Sequence, residues 1–342
     1  MDRKTGYSLL LVLCFLVCSL VVDSADATEN TSVFVLHSYS QEYPWTKRQH
    51  EGFMQRLRST VPNPTTVCVE YLDAKRVPYT ADYANLMAEY LGQKYKAFKP
   101  KIIYVTDDNA LAFAVSHLTN IFPNTPVFFS GVNDYKVKSR LSPDRFTGVF
   151  ERKEVAPSLE LMRSLAPDMR DILVVGDKSE TFQTIRNEIE VELQQYPDIH
   201  ARFLSDDLIE PLVESLHGSS ERYVLLTTLE VMKDASVRVL TIQEAISSIA
   251  QAGPFIILCM EDVYLCPGVM GGYVTSGLKQ GDAAAEMAIR HLAGAAVADI
   301  VPVESSPNEY IFDAKELNSI GLHLPPEIAR RATILNSLPT FY

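Results

Sequence analysis

The chain has 342 residues, of which 47% are hydrophobic and 22% are charged, and its formal net charge is −12. This length allows two domains with separate cores, and the composition is that of a soluble globular protein. The acidic balance and the lack of a basic stripe argue against nucleic acid as a partner, because phosphate binding needs clustered Lys and Arg.

The first 27 residues have the pattern of a signal peptide. Arg3 and Lys4 precede an apolar run over 9–22, and Ala25-Asp26-Ala27 gives the small-x-small pattern of a signal-peptidase site. We therefore expect cleavage after Ala27 and a periplasmic mature protein. An uncleaved membrane anchor is the alternative, because the apolar run is only slightly shorter than a bilayer span.

Three cysteines follow the predicted cleavage site, at Cys68, Cys259 and Cys266. In an oxidising compartment Cys259 and Cys266 are close enough in sequence to pair across "CMEDVYLC". The alternative is that Cys68 and Cys259 are small buried residues in strands. No histidine lies near them in a zinc-binding pattern, so no metal site is expected.

Short β-rich runs alternate with amphipathic stretches, the pattern of parallel sheets joined by crossover helices. A first series predicts strands over 33–37, 66–71, 101–106 and 126–130, with helices over 45–59, 81–97 and 109–120. A second series predicts strands over 171–175, 200–204, 222–228 and 255–259, with helices over 180–195, 207–216 and 236–250. Residues 271–294 then predict a short strand and a long helix, and 309–322 a strand and a helix capped by Asp313.

Two series of similar size predict an α/β protein with two doubly wound parallel-sheet lobes. We assign 31–135 plus 270–302 to an N-terminal lobe, 145–262 plus 308–335 to a C-terminal lobe, and 336–342 to a C-terminal tail. The chain would then cross between the lobes near 131–146, 260–272 and 300–310. Three crossings predict a hinge rather than a flexible tether.

Polar and aromatic residues follow most of the predicted strands. Because ligands bind outside the carboxyl ends of parallel strands, these residues are the candidates for a binding site for a small polar ligand. The candidate ligand-binding residues are Ser38, Tyr39, Tyr43, Thr106, Asp107, Asp108, Ser130, Gly131, Asn133, Asp177, Ser179, Thr228, Glu261 and Tyr273.

Several of these positions have a structural alternative. Asp107, Asp108 and Ser179 lie at predicted helix starts, where such residues cap helices in any protein. His37, at the end of the first strand, is either a structural histidine or part of the site. Trp45, with the proline before it, is expected to fix the entry to the first helix and to pack at the rim of the pocket.

No catalytic signature accompanies these residues. The sequence has no nucleophile elbow, no phosphate-binding loop ending in Lys-Ser/Thr and no His-Glu-x-x-His motif. A triad drawn from Ser38, His37 and Asp107 has no support from spacing. We therefore expect neither enzymatic activity nor a cofactor.

Several segments resemble a known family. "VFVLHSYSQEYPWT", "FFSGVND", "FTGVFERKEVAPSLELMRSLAPDMRDILVVGD", "GGYVTSGLKQGDAAAEMAIRHLAG" and "PNEYIFDAKELNSIGLHLP" are similar to the substrate-binding proteins associated with ABC transporters, which have the type I periplasmic binding protein fold. They look most like the branch fused to bacterial sensor kinases and diguanylate cyclases. The closing "ILNSLPTFY" is similar to the segment that precedes a transmembrane helix in receptor members.

This resemblance implies a Venus-flytrap mechanism, in which a ligand in the cleft contacts both lobes and stabilises the closed state. It places ligand contacts at Ser38, Thr106, Asp107, Ser130, Gly131 and Ser179. Asp107 and Asp108 depart from the Ser/Thr pattern of amino-acid binders, which leaves an amine-bearing or uncharged ligand open. The implied partner is an ABC permease or, alternatively, a membrane-bound kinase or cyclase. An exported hydrolase is a remote third alternative.

Overall fold

The computed structural model describes residues 31–61, 65–304 and 307–336. The predicted signal peptide and residues 337–342 of the predicted tail lie outside these residues. The strands are β1 (Thr31–His37), β2 (Thr65–Tyr71), β3 (Ile102–Thr106), β4 (Val127–Val132), β5 (Phe146–Phe150), β6 (Asp171–Gly176), β7 (His200–Ser205), β8 (Tyr223–Leu226), β9 (Ile256–Cys259), β10 (Gly271–Val274), β11 (Glu309–Asp313) and β12 (Thr333–Leu335).

The described residues contain eleven α-helical segments, ten of which are numbered here. They are α1 (Pro44–Thr60), α2 (Ala81–Lys94), α3 (Asp107–Phe113), α4 (Ala156–Leu165), α5 (Glu180–Leu193), α6 (Ile209–Leu216), α7 (Ile242–Gln251), α8 (Gly277–Leu292), α9 (Ala314–Ser319) and α10 (Pro326–Ala329), and the chain after α3 continues through a π-helical turn (Ala114–Leu118) and a short helical segment (Thr119–Ile121).

The first lobe is built on a five-stranded parallel sheet in the order β2-β1-β3-β4-β5. β1, β3 and β4 are buried almost throughout, as expected of parallel strands covered on both faces. On one face, α1 and α8 pack against each other at close range. A Cβ at Gly52 would lie 1.9 Å from the Leu278 carbonyl oxygen, and one at Gly281 would lie 2.0 Å from that of Gln49. Glycine at these two positions therefore permits the contact.

The second lobe is built on a seven-stranded sheet in the order β12-β11-β10-β9-β8-β6-β7. Only the β10–β11 pair is antiparallel among the described strands of this sheet. The predicted class of two α/β lobes on largely parallel sheets is therefore confirmed, with one mixed edge.

The crossings between the lobes differ from the predicted ones. β5, which the sequence assigned to a connector and the start of the second lobe, belongs to the first sheet. Gly148 was predicted to lie in a connector. In the structure, a Cβ at this position would lie 2.2 Å from the Phe129 carbonyl oxygen of β4, so glycine allows β5 to pair closely with β4. The first crossing accordingly follows Phe150 rather than preceding residue 146.

β10 likewise lies in the second sheet, although 270–302 was assigned to the first lobe. Gly271 and Gly272 allow it to lie between β9 and β11, because a Cβ at either position would come within 2.4 Å of a neighbouring carbonyl oxygen. Only α8 and the residues directly after it return to the first lobe.

α7 begins at Ile242 rather than at residue 236, because Thr241 and Glu244 form a capping box that fixes the helix start. The caps predicted at Ser179 and Asp313 are confirmed, since each side chain accepts a hydrogen bond from a backbone N–H of the next turn.

Cys68, Cys259 and Cys266 are free thiols in the structure, so it contains no bridge between Cys259 and Cys266. Over the described ranges, no helix is both long and apolar enough to span a bilayer.

Candidate functional site

A cleft lies where the carboxyl ends of the two sheets face each other. Its volume is small, about 20 Å³. The first lobe and the segments after its strands contribute Tyr39, Tyr43, Trp45, Lys75, Asp107, Asn133 and Glu151, and the second lobe contributes Thr181, Thr228, Glu230 and Glu261.

The aromatic wall of the cleft comes from the segment after β1. The rings of Tyr39 and Tyr43 are 5.0 Å apart and inclined by 60°. Both tyrosines, together with Trp45, pack against the core of the second lobe. The first lobe therefore reaches across the cleft through three aromatic side chains, and the two lobes are in contact there.

Asp107, the first residue of α3, has an unusual conformation and environment. Its φ of 65° is in the left-handed region, which non-glycine residues rarely adopt. Its Oδ1 accepts hydrogen bonds from Trp45 Nε1 at 3.0 Å and Gln49 Nε2 at 3.3 Å, whereas its buried Oδ2 has no partner. Burial, assisted by the negative charge of Glu151, raises the pKa of Asp107 well above its usual value. Strained backbone of this kind is typical of functional sites.

The loop after β4 is held against Asp107 and Asp108. Gly131 also has positive φ, 71°, and a Cβ there would lie 2.2 Å from Gln49 Nε2, so this position requires glycine. Asp108 accepts hydrogen bonds from the backbone N–H groups of Asn133 at 3.3 Å and Asp134 at 3.0 Å. These bonds fix Asn133 at the cleft wall.

A buried ion-pair cluster, formed by Lys153, Glu151 and Glu261, closes the hinge side of the cleft. The Lys153 side chain is 1% exposed, contacts both carboxylates, and lies 2.9 Å from Glu261 Oε1. Its ammonium also faces the ring of Trp45, 5.1 Å from the ring centre. Burial lowers the pKa of Lys153, but the two carboxylates outweigh this effect and raise it above its ordinary value. Lys153 therefore stays charged.

On the second lobe, Asp177 organises the strand ends. Its Oδ1 accepts hydrogen bonds from Thr228 Oγ1 at 2.9 Å and from the Ser179 backbone N–H at 3.1 Å. Glu230 lies further along the same segment as Thr228. Its pKa is raised by burial, and Lys75 is the strongest influence opposing this shift.

The lobes are also joined by an ion pair beside the cleft. Arg48 of α1 lies 3.1 Å from Asp262, whose carboxylate accepts a further hydrogen bond from Ser276 Oγ at 2.7 Å. Asp262 and Ser276 are both buried. This contact connects a helix of the first lobe to the segments that enter and leave β10.

The structure brings six of the predicted site residues to the cleft lining: Tyr39, Tyr43, Asp107, Asn133, Thr228 and Glu261. Seven others lie among the residues that support it rather than in the lining: Ser38, Thr106, Asp108, Ser130, Gly131, Asp177 and Ser179. Tyr273 is elsewhere, since its ring packs 4.8 Å from that of Tyr310 in the core of the second lobe.

Buried hydroxyls at the strand ends have structural partners. Ser38 Oγ donates to the Thr106 carbonyl at 2.7 Å and accepts from the Ala110 N–H at 2.7 Å, so the residue that follows β1 caps α3. Ser130 Oγ is paired with Tyr104 OH at 2.7 Å.

His37 is fully buried behind the cleft. Its Nδ1 is 3.0 Å from Thr106 Oγ1 and its Nε2 is 3.0 Å from Nδ1 of His50. Burial, with a smaller contribution from His50, lowers the pKa of His37 well below its ordinary value. None of these hydrogen bonds joins His37 or Ser38 to Asp107, so the three side chains do not form a catalytic triad.

Five lining residues were not among the predicted contacts: Trp45, Lys75, Glu151, Thr181 and Glu230. Trp45 was expected only to pack at the rim. Glu151 directly follows β5, which was not predicted, and recognising that strand would have found it. Lys75 lies four residues after the end of β2, and Glu230 lies four residues after the end of β8. The prediction considered mainly the residues directly after each strand, so it did not include these two.

No group of three or more His, Cys, Asp or Glu side chains suited to a metal ion occurs among the residues described.

Solved structures with the same two-lobed fold cover most of the chain. An ABC domain from Streptococcus pneumonia, solved in complex with L-Trp, is 16% identical, with a TM-score of 0.61 over 90% of this chain and 99% of that one. The ligand-free, open structure of a substrate-binding protein with adhesive properties from Clostridium difficile is 14% identical, with a TM-score of 0.63 and the same coverage. An ABC transporter solute-binding protein from Bacillus halodurans with bound myo-inositol is 10% identical, with a TM-score of 0.55 over 86% of this chain and 98% of that one.

Neither a scan of protein-family models nor a search of curated protein sequences gave a match. At identities of 10–16%, the structural similarity shows the fold. The chain has the type I periplasmic binding protein fold, as the sequence predicted.

Proposed function

We propose that this protein is an exported, periplasmic solute-binding protein, which captures a small polar ligand in the cleft and delivers it to an ABC-type uptake system. The observation that carries the proposal is the cleft itself. It lies at the carboxyl ends of both sheets and takes polar and aromatic side chains from both lobes. A ligand there contacts both lobes only when they are closed, so binding favours the closed state.

The small molecules bound in similar solved structures support this proposal. Three similar structures were solved with L-Trp, D-arabinose or myo-inositol bound. These ligands are chemically diverse, so the fold does not indicate which molecule binds here.

The direct test is a thermal-shift screen of the mature chain with amino acids, amines, purines, sugars and small organic anions. A ligand at about 100 times its Kd adds about 2.7 kcal/mol to the free energy of unfolding, which raises the melting temperature measurably. If no compound class raises the melting temperature, the proposal fails.

Tyr43→Ala provides the variant that links binding to the cleft. Because Tyr43 lines the cleft and Tyr273 does not, Tyr43→Ala should weaken ligand binding much more than Tyr273→Ala. Isothermal titration of both variants, with urea unfolding as the measure of stability, separates binding from packing. Equal losses of affinity in the two variants would contradict the assignment of the site.

Export requires its own test. Expression of the full chain with periplasmic fractionation and N-terminal sequencing should show a mature protein that begins after Ala27. Retention of the chain in the membrane fraction with residues 1–27 intact would favour the anchored alternative.

A second candidate function is a sensory module that passes closure to a membrane kinase or cyclase. The resemblance of "VFVLHSYSQEYPWT" and of the closing segment to receptor members favours it. Ligand-dependent cross-linking in cells distinguishes the two candidates, because a transport protein should capture a permease and a sensory module a kinase or cyclase.

A further inference from the structure

Lys75 places its ammonium group in the cleft, against the aromatic wall. Its Nζ lies 4.9 Å from the ring centre of Tyr39 and 5.6 Å from that of Tyr43. A cation over two aromatic faces is attracted by both, and such pairs of rings recognise ammonium groups in ligands. Within the described residues, no carboxylate lies close enough to Lys75 to form an ion pair.

The acidic groups of the cleft exceed the cations that can balance them. Lys153 is committed to Glu151 and Glu261. Asp107 and Glu230 remain, and Lys75 is the one cation among the described residues that line the cleft. The site therefore has an excess of acceptors and negative charge.

Asp107 gives an independent indication that a donor is missing. This side chain is 2% exposed and lines the cleft, yet its Oδ2 has no hydrogen-bond partner. A buried acceptor without a donor costs about 1–3 kcal/mol, so it is retained where a ligand or another group satisfies it. An ammonium group has three donors and no acceptor, which matches this wall.

We propose that the cleft recognises the ammonium group of a small amine, and that Lys75 occupies the position of this group until the ligand displaces it. This inference rests on the proposed solute-binding function and specifies its ligand class. Lys75 extends from the segment after β2 and is half-buried, so its side chain can leave the cleft without unfolding either lobe.

The probe for this inference is n-butylamine, which has the carbon chain and ammonium group of a lysine side chain. Lys75→Ala removes the internal ammonium and should bind n-butylammonium about tenfold more tightly than the wild type, as measured by isothermal titration at pH 7. 1-Butanol and butyrate, which have nearly the same shape, should not bind measurably. Lys178→Ala is the matched control, because Lys178 is an exposed lysine paired with Asp206 and lies outside the cleft lining.

Glu230→Gln in the Lys75→Ala background tests the acidic wall. It should weaken binding of n-butylammonium about tenfold, and urea unfolding checks that the fold is retained. Asp107→Asn in the same background provides a second measurement if Glu230→Gln proves unstable. Unchanged affinity in folded forms of both double variants would overturn the inference.

Two further outcomes also overturn it: equal affinity of the wild type and Lys75→Ala for n-butylammonium, or tighter binding of butyrate than of n-butylammonium. If the ligand screen finds a tight neutral or anionic ligand whose affinity does not depend on Lys75, the ammonium site is refuted while the solute-binding function stands. If Lys75→Ala selects n-butylammonium but no compound raises the melting temperature of the wild type, the ammonium site stands and the solute-binding function does not.

Discussion

Lys153→Met tests the buried ion-pair cluster at the hinge side of the cleft. The side chains of Lys153, Glu151 and Glu261 are 1%, 5% and 7% exposed. Methionine keeps the length of the side chain but leaves two carboxylates in a buried site without their cation. Breaking a buried pair by removing one partner costs about 3–5 kcal/mol, so we expect the free energy of unfolding to fall by about 4 kcal/mol at pH 8.

The pH dependence of this loss distinguishes charge from packing. Burial already raises the pKa of Glu261, although Lys153 opposes the shift. Without Lys153 this pKa rises further, so the folded state binds a proton that the unfolded state releases near its ordinary pKa, 4.5. Stability is then retained at low pH and lost as pH rises, by at most about 1.4 kcal/mol per pH unit for one group. Lys153→Met should therefore lose much less stability at pH 5 than at pH 8.

Urea unfolding of the wild type, Lys153→Met and the triple variant Glu151→Gln/Lys153→Met/Glu261→Gln measures these differences. The triple variant removes both carboxylates and should recover at least half of the loss, with little dependence on pH. Lys178→Met, at an exposed ion pair, should have a far smaller effect. A loss for Lys153→Met below about 1 kcal/mol, far under the usual 3–5 kcal/mol, or an equal loss at pH 5 and pH 8, would refute the reasoning.

Two other predictions concern the framework of the site. Gly131→Ala should reduce the free energy of unfolding by about 2–4 kcal/mol, because it combines left-handed backbone with overlap against the amide of Gln49. Gly218→Ala, at a similar φ with nothing within 4 Å, should cost only about 1 kcal/mol in urea unfolding, and equal losses would contradict the close approach. Between pH 7.5 and 5.5, His37 and His50 should each reduce stability as pH falls, by at most about 1.4 kcal/mol per pH unit for each histidine, because both have lowered pKa values and resist protonation when folded. His50→Gln should lose less stability than the wild type between pH 7.5 and 5.5 in pH-dependent urea unfolding, and identical pH profiles of the two proteins would contradict the prediction.

The alternation of strands and helices was predictable because parallel strands covered on both faces form continuous apolar runs. β5 was missed since Gly148 and the preceding Ser-Pro-Asp made 142–148 resemble a connector, whereas that glycine allows close pairing with β4. The lobe assignment of β10 could not be deduced from local pattern, because pairing between strands is a long-range property.

The site was predictable in location but less so in detail. Strand ends identified Tyr39 and Asp107, because parallel strands converge there. The same rule selected Ser38 and Ser130, whose hydroxyls bond to the chain behind the cleft. Lys75 was missed because its long side chain reaches the cleft from a loop, and sequence patterns do not give the direction of a loop side chain.

The pairing of α1 with α8 also has a consequence for the order in which the chain folds during synthesis. Phe53 and Leu57 of α1 share a core with Ala284 and Ala288 of α8. The ribosome completes α8, which ends at Leu292, 142 residues after β5 ends at Phe150, which takes roughly 7–28 s at about 5–20 residues per second. The apolar stripe of α1 therefore stays uncovered while most of the second lobe is made, and a mutation late in the chain can delay completion of the lobe that is made first.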